Sequence, residues 1–426
     1  MTATGPRIHA AVPPSATLAI NERIGQRIRE GRDVLHLAFG EAGLPVPPGV
    51  AEVLARAAPR NGYGPVAGSA DARAAAAGYF ERRGVPTVPE QTLFAPGSKP
   101  LIYALIRVLP GDVVIPQPSW VSYAAHAALA GKRLVQVPIG PSAGGVPDPD
   151  ALEEALAAAR RDGAAPGVVV LTLPDNPTGT QPSPKLVERV CEIADRHGLL
   201  IVADEIYRDL AHDPETFRGP AEVVPERSFV TNGLSKAAAL GGYRIGFARM
   251  ADGPLGAEAR AAVAGVAGAV WSALAAPMQA VAAHVLSEPA ELREHVARCR
   301  ALHRAVARAA YREVAAAGID CRPPSGAFYL YPDFAARRDE LAAHGVTTSL
   351  ALAEHLLEHH DVGVLAGAAF GDEPGALRVR MATSLLYGTD DDERLRALAS
   401  DDAASLPWIR AKLDRLRAAL DGLGRP

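Results

Sequence analysis

An amide, a carboxylate and a primary amine each follow an apolar, β-branched run between Val168 and Gly246. Val168–Leu173 runs into Pro174-Asp175-Asn176-Pro177-Thr178-Gly179, and Leu199–Ala203 into Asp204-Glu205-Ile206-Tyr207. Ser228–Thr231 runs into Asn232-Gly233-Leu234-Ser235-Lys236. Lys236 is a residue type that can act as nucleophile or base, Asp204 as a counter-ion, and Asn176 as a hydrogen-bond partner. Between the first two runs, Leu186, Val187, Val190, Ile193 and Ala194 recur at helical spacing within Ser183–His197. Strands alternating with such a helix predict an α/β fold with a mostly parallel sheet buried on both faces. The ligand site of such a sheet lies beyond the carboxyl ends of its strands, so the three residues should share one rim. Taken singly each has a plainer use: Asp204 can cap a helix, Asn176-Pro177 can turn the chain, and Lys236 can lie at the surface.

The elements around this stretch follow from the same patterns. Helices are expected at Thr17–Gly31, Val50–Ala58, Asp71–Arg83, Leu101–Leu109, Pro149–Arg161 and Ser349–His360. Strands are expected at Val34–Phe39, Thr92–Phe94, Val113–Ile115, Leu134–Val137, Val362–Leu365 and Leu377–Ala382. From Leu255 to about Ala317 the sequence is alanine-rich and helical, with a break near Pro277. The change of pattern after Gly246 predicts a second domain, and residues 1–16 are expected to be an N-terminal arm. The small residues Gly97 and Ser98, ahead of a helix, can free backbone N–H groups for a phosphate or simply make a tight turn.

Composition narrows the classes of function. The chain has 426 residues, a formal net charge of −4 and no basic stripe, so nucleic acid is not an expected partner. Cys191, Cys299 and Cys321 are scattered without a paired spacing, which suits a reducing compartment and not a disulfide framework. No uninterrupted apolar run spans a membrane, and a cytoplasmic protein is expected. His355-Leu356-Leu357-Glu358-His359 spells a short H-x-x-E-H pattern. It reads as a solvated helix face far from the rim, and no metal is expected.

Several of these segments, in order, resemble one family. Gly233-Leu234-Ser235-Lys236 through Gly241-Gly242-Tyr243-Arg244-Ile245-Gly246 resembles the lysine signature of class I/II aminotransferases, which are fold type I enzymes. Asn176–Gly179, Asp204–Tyr207, Ser119–Tyr123 and Pro324–Tyr329 look like further family segments. The division that this family implies is a large domain (45–290) and a small α+β domain from both chain ends (17–44 and 291–426). The resemblance implies pyridoxal 5′-phosphate (PLP) held by Lys236 as a Schiff base, with Lys236 later moving the proton at the substrate's α-carbon. It also implies Asp204 against the pyridine nitrogen, Tyr207 and Asn176 on the ring oxygen, and Trp120 on the ring face. The phosphate would be held by the backbone of Gly97, Ser98 and Lys99, with Ser235 and Arg244, and by Tyr63 of a neighbouring subunit in a homodimer. Arg378 aligns with the arginine for the substrate α-carboxylate, with Arg380 as rival on the same strand, and Gly40 would lie close to that carboxylate. The implied reaction exchanges an amino group between an L-amino acid and a 2-oxo acid. Elimination or replacement on the same scaffold is the alternative, and a non-catalytic ligand-binding protein is a third reading.

The pattern departs from the family in places. Gly40-Glu41-Ala42 stands where Gly-Glu-Pro is usual, and Ala366-Gly367 where Pro-Gly is usual. An insertion at Leu385–Leu406 contains the acidic run Asp390–Glu393, expected to be a solvated face. Lys99 resembles the lysine that one aspartate aminotransferase branch uses for acidic substrates, whereas Trp271 points to a bulky or aromatic one.

Overall fold

The structure is a computed structural model and describes residues 16–423. The arm expected over 1–16 lies outside them but for Ala16. Along the chain, β1 (Leu35–His36) belongs to a small sheet. The central sheet is made by β2 (Thr92–Pro96), β3 (Asp112–Gln117), β4 (Leu134–Pro138), β5 (Pro166–Thr172), β6 (Leu200–Asp204), β7 (Ser228–Gly233) and β8 (Ile245–Arg249). Their order is β2-β8-β7-β6-β5-β3-β4, and β3 to β7 are parallel to their neighbours in this set.

Alternation explains why the strands read as continuous apolar runs. Val168, Val170, Leu200 and Val202 enter the apolar cluster on one face, while Val169, Leu171 and Ile201 enter that on the other. Successive side chains of a strand point to opposite faces, and both faces are covered by helices, so neither parity can be polar. Pro149–Arg161 and Pro184–Arg196 form two covering helices, each opened by a side-chain cap, Asp148 or Ser183, followed by proline.

No strand is expected from the sequence at Ile245–Arg249, yet β8 is there and runs antiparallel to both β2 and β7. Its Gly246 reads as a breaker, but a Cβ at that position would collide with the backbone of Gly97, so glycine permits the close approach. Because β8 reverses between them, β2 points the same way as β7. The ends of β2, β3, β5, β6 and β7 therefore meet at one rim. The helix expected from Leu101 begins at Ser98, directly after β2. A helix at Ser122–Leu129, for which the sequence gives no pattern, places Tyr123 beneath that rim.

The two ends of the chain meet in a second layer. β1 pairs in parallel with β10 (Val362–Gly363), so the strand expected over Val34–Phe39 shrinks to two ladder residues. With β9 (Tyr329–Leu330), β11 (Leu365–Ala366) and β12 (Val379–Ala382) there is a three-stranded antiparallel sheet in the order β11-β12-β9. The alanine-rich stretch is three helices, Gly253–Val270, Ala276–Leu286 and Ala290–Ala316. The acidic run has a use beyond solvation. Asp390 caps the helix Asp391–Ala399 by accepting from the Glu393 amide at 2.8 Å. The next three acids occupy the first turn, where the helix dipole favours negative charge.

Candidate active site

The register of β5, β6 and β7 sets Thr172 beside Asp204 and Asp204 beside Thr231. Asp204 is buried, and burial pushes its carboxyl up to about 6. The Tyr123 hydroxyl donates to Asp204 Oδ2 at 2.9 Å, leaving the Thr172 hydroxyl, 2.8 Å away, to donate to Tyr123. The Ile206 amide reaches Asp204 Oδ1 at 3.3 Å. These bonds lower the carboxyl but do not offset desolvation, so the pocket around it would gain from an added cation.

Beyond β7 the chain turns over Leu234-Ser235 and delivers Lys236, whose Nζ donates to the Gly40 carbonyl. Desolvation first, then the charge of Arg380, pulls the amine down to about 8. A neutral amine is the nucleophile toward a carbonyl, and at pH 8 about half the Lys236 population would carry it, against under 1% for an ordinary lysine. The cofactor-free protein should therefore react with a small aldehyde at Lys236 along a titration centred near pH 8. Trapping by borohydride and peptide mapping reads it, and a midpoint at the ordinary lysine value would refute the desolvated setting.

At the same rim an anion cradle forms. Gly97, at φ +93°, turns from β2 into the helix Ser98–Val108, exposing the free N–H groups of its first turn. The Arg244 guanidinium lies so close to Gly97 that a Cβ there would collide with it. Arg244 itself donates to the Gly241 carbonyl at 2.9 Å. Two positive ends, a helix N-terminus and a guanidinium, converge on one space. Lys99 Nζ sits 5.1 Å from the Trp120 ring centroid, and burial with the nearby Arg244 charge lowers its pKa. Trp120 packs edge-on against Tyr123 at 5.2 Å.

Arg378 is not brought into this group. It lies just before β12, is partly exposed, and pairs with Asp333 at 2.7 Å and Asp372 at 3.4 Å. Arg380 is the buried one. Its Nη1 donates to Asn176 Oδ1 at 3.1 Å and its Nη2 to the Ala38 carbonyl, while its buried Nε has no partner among the described residues. Its guanidinium lies 4.9 Å from the Tyr329 ring and 5.0 Å from that of Phe370. The two arginines do share a face, since Leu377, Val379 and Met381 all turn into the core, but the guanidinium of Arg378 is engaged by two carboxylates whereas that of Arg380 is buried beside Asn176. Tyr207 is buried and its hydroxyl meets the Tyr329 hydroxyl at 2.6 Å. The sequence does not single out Tyr329 or Tyr123, although each closes a segment noticed there, Pro324–Tyr329 and Ser119–Tyr123. Tyr63 is 99% exposed.

The H-x-x-E-H carboxylate is engaged elsewhere: Glu358 pairs with Arg23 at 2.9 Å and Arg27 at 2.8 Å. Among the described residues no group of three or more His, Cys, Asp or Glu could hold a metal ion. No helix among them is long and apolar enough to cross a membrane.

Known proteins resemble this chain in sequence and fold. The family model for aminotransferase class I and II covers residues 32–386. An aspartate/prephenate aminotransferase of Cereibacter sphaeroides is 34% identical over 391 residues, covering 88% of this chain and 93% of the relative. Its counterpart in Thermus thermophilus is 32% identical over 381 residues, covering 88% and 93%. The solved aspartate aminotransferase of Thermus thermophilus with maleate superposes with a TM-score of 0.81 at 29% identity, covering 97% of this chain and all of the other.

Proposed function

This chain belongs to the class I and II aminotransferase family and is a transaminase, and from that premise we propose that it uses PLP, carried on Lys236, to move the amino group of an acidic L-amino acid to a 2-oxo acid. The observation that carries the cofactor assignment is the buried Asp204 carboxyl facing the same rim as a desolvated amine and an anion cradle. The residues fit the group: a pyridinium would give Asp204 the cation it lacks, and the phosphate would take the N-terminus of Ser98–Val108, Ser235 and Arg244. When bound, the cofactor supplies an electron sink for the negative charge that develops at the substrate's α-carbon.

The chain's own groups do the rest. Lys236, poised near neutrality, accepts and returns the proton at the α-carbon. Tyr123 and Thr172 hold the Asp204 carboxylate in place, and the free amide nitrogen of Asn176 and the Tyr207 hydroxyl are available to the ring oxygen. Trp120 provides a flat wall against the ring. Arg380, whose Nε awaits an acceptor, binds the substrate α-carboxylate in place of Arg378. The relatives named for aspartate and prephenate, together with the half-buried Lys99 beside Trp120, favour a donor with a second carboxylate.

We further propose a homodimer in which the exposed Tyr63 serves the partner's phosphate, and a division into a cofactor-binding domain (45–290) and a small domain (17–44 with 291–426). The pairing of β1 with β10 supports that division. The test of the reaction is spectroscopic. L-aspartate should convert the bound cofactor to its aminated form, and 2-oxoglutarate should restore it; release of an unsaturated acid instead would overturn transamination. Lys99→Ala should raise KM for aspartate about tenfold, the worth of one charged hydrogen bond, and leave alanine turnover unchanged. Equal losses for both donors would remove Lys99 from substrate recognition.

A further inference from the structure

Arg300, Arg304, Arg308 and Arg312 recur every fourth residue along the helix Ala290–Ala316, so they share one face. Val306, Ala310 and Val314, two residues on from each of the last three, are on the opposite face and buried in the core. At 1.5 Å per residue the guanidinium-bearing positions are spaced by ~6 Å over ~18 Å. They form one wall of a groove of about 550 Å³, whose other walls include Asp213, Pro214, Asp402 and Ala404.

What sets this row apart is its lack of counter-ions. Arg304 donates only to the His212 carbonyl, at 3.3 Å, and Arg300, Arg308 and Arg312 make no hydrogen bond or ion pair among the described residues. Asp213 and Asp402 line the groove, yet neither pairs with a guanidinium. Elsewhere on the same helix a carboxylate is supplied: Glu294 for Arg298 at 2.6 Å, and Glu313 for Arg410 at 2.9 Å. Like charges four residues apart on a helix repel one another. Desolvation, joined by repulsion from Arg304 and Arg312, holds Arg308 below its ordinary pKa. Such a row is stabilised by a ligand whose negative charges lie in line at comparable spacing.

We propose that this groove binds a small oligophosphate, a nucleoside di- or triphosphate or a free polyphosphate chain. Guanidinium forks match phosphoryl oxygens in pairs, and adjacent phosphoryl groups can engage two or three successive arginines at once. A dicarboxylate would satisfy fewer. The groove is also tied to the catalytic rim. The His212 imidazole meets the carbonyls of Pro324 at 3.2 Å and Ala327 at 3.0 Å, and Ala327 lies two residues before Tyr329.

Calorimetric titration of the PLP-loaded full chain at constant ionic strength, with inorganic triphosphate and then magnesium-free ATP, tests the site. We expect saturable binding of one triphosphate per chain, weakened about tenfold by Arg308→Gln and again by Arg312→Gln, and unchanged by Arg298→Gln. Tighter binding of ATP would assign the groove to a nucleotide, and equal binding to the phosphate chain alone. Absence of saturable binding, an equal loss in Arg298→Gln, or citrate binding as tightly as triphosphate would overturn the proposal. The result is independent of the cofactor assignment, because phosphate held by Arg244 would not respond to Arg308→Gln.

Discussion

Lys236→Ala is expected to lower turnover by on the order of 10⁴-fold or more, since tether and proton-transfer base are lost together. The absorbance change that marks covalent attachment of the cofactor should vanish in the variant, while PLP still binds through Asp204 and the phosphate cradle. Retention of that band would refute the assignment. A second readout separates a chemical role from a structural one. In the cofactor-free protein the amine has a pKa of about 8, below the lysine value of 10.5. Between those two values the folded chain has released a proton that the unfolded chain still holds, so the unfolded state binds more protons and stability grows as pH rises. Below about pH 8 the charged amine is buried at full cost. Wild type should therefore gain stability relative to Lys236→Ala as the pH climbs from about 8 to 10.5, read as the difference in denaturant midpoint. A constant difference across that window would mean the amine is not desolvated.

Much of this site was legible because its residues sit where continuous apolar runs stop. The runs ending before Asn176, Asp204 and Lys236 are apolar at both parities, which a strand covered on both faces requires, and the register then sets their ends side by side. Pro149–Arg161 and Ser349–His360 were legible because a cap and a continuous helical pattern mark their ends. The remainder depended on tertiary contacts. Reversal of β8 is dictated by pairing with both β2 and β7, which no local pattern encodes. Tyr123 and Tyr329 became site residues only once the helix Ser122–Leu129 and the strand β9 brought their hydroxyls to Asp204 and Tyr207. The arginine row is not singled out in the sequence, and its want of carboxylate partners shows only in the fold.

The two arginines of Leu377-Arg378-Val379-Arg380 give the sharpest contrast. Parity within a strand puts i and i+2 on one face, and it holds here: Leu377, Val379 and Met381 turn into the core, while Arg378, which bridges Asp333, and Arg380 face the other way. Their partners differ: Arg378 pairs with Asp333 and Asp372, and Tyr331 holds Asp372 from the other side at 2.7 Å. Arg378→Ala therefore loses two ion pairs of a partly exposed guanidinium, each worth about 1 kcal/mol or less, and should change kcat/KM less than about fivefold. Arg380 has a different task. Buried between Tyr329 and Phe370, it already donates to Asn176 and Ala38, and in the proposed function its unpartnered Nε takes the incoming carboxylate. Arg380→Lys keeps the charge but not the planar fork, and should lower kcat/KM for L-aspartate by on the order of 10²-fold or more while PLP stays bound. Arg380→Ala should cost still more, because it also leaves the Asn176 and Ala38 acceptors unpaired. Steady-state kinetics of the three variants, with cofactor content measured in each, decides the matter. If Arg378→Ala proved the damaging change and Arg380→Lys the mild one, the carboxylate would have to bind outside the buried pocket, and the placement of substrate between Lys236 and Asn176 would fall with it.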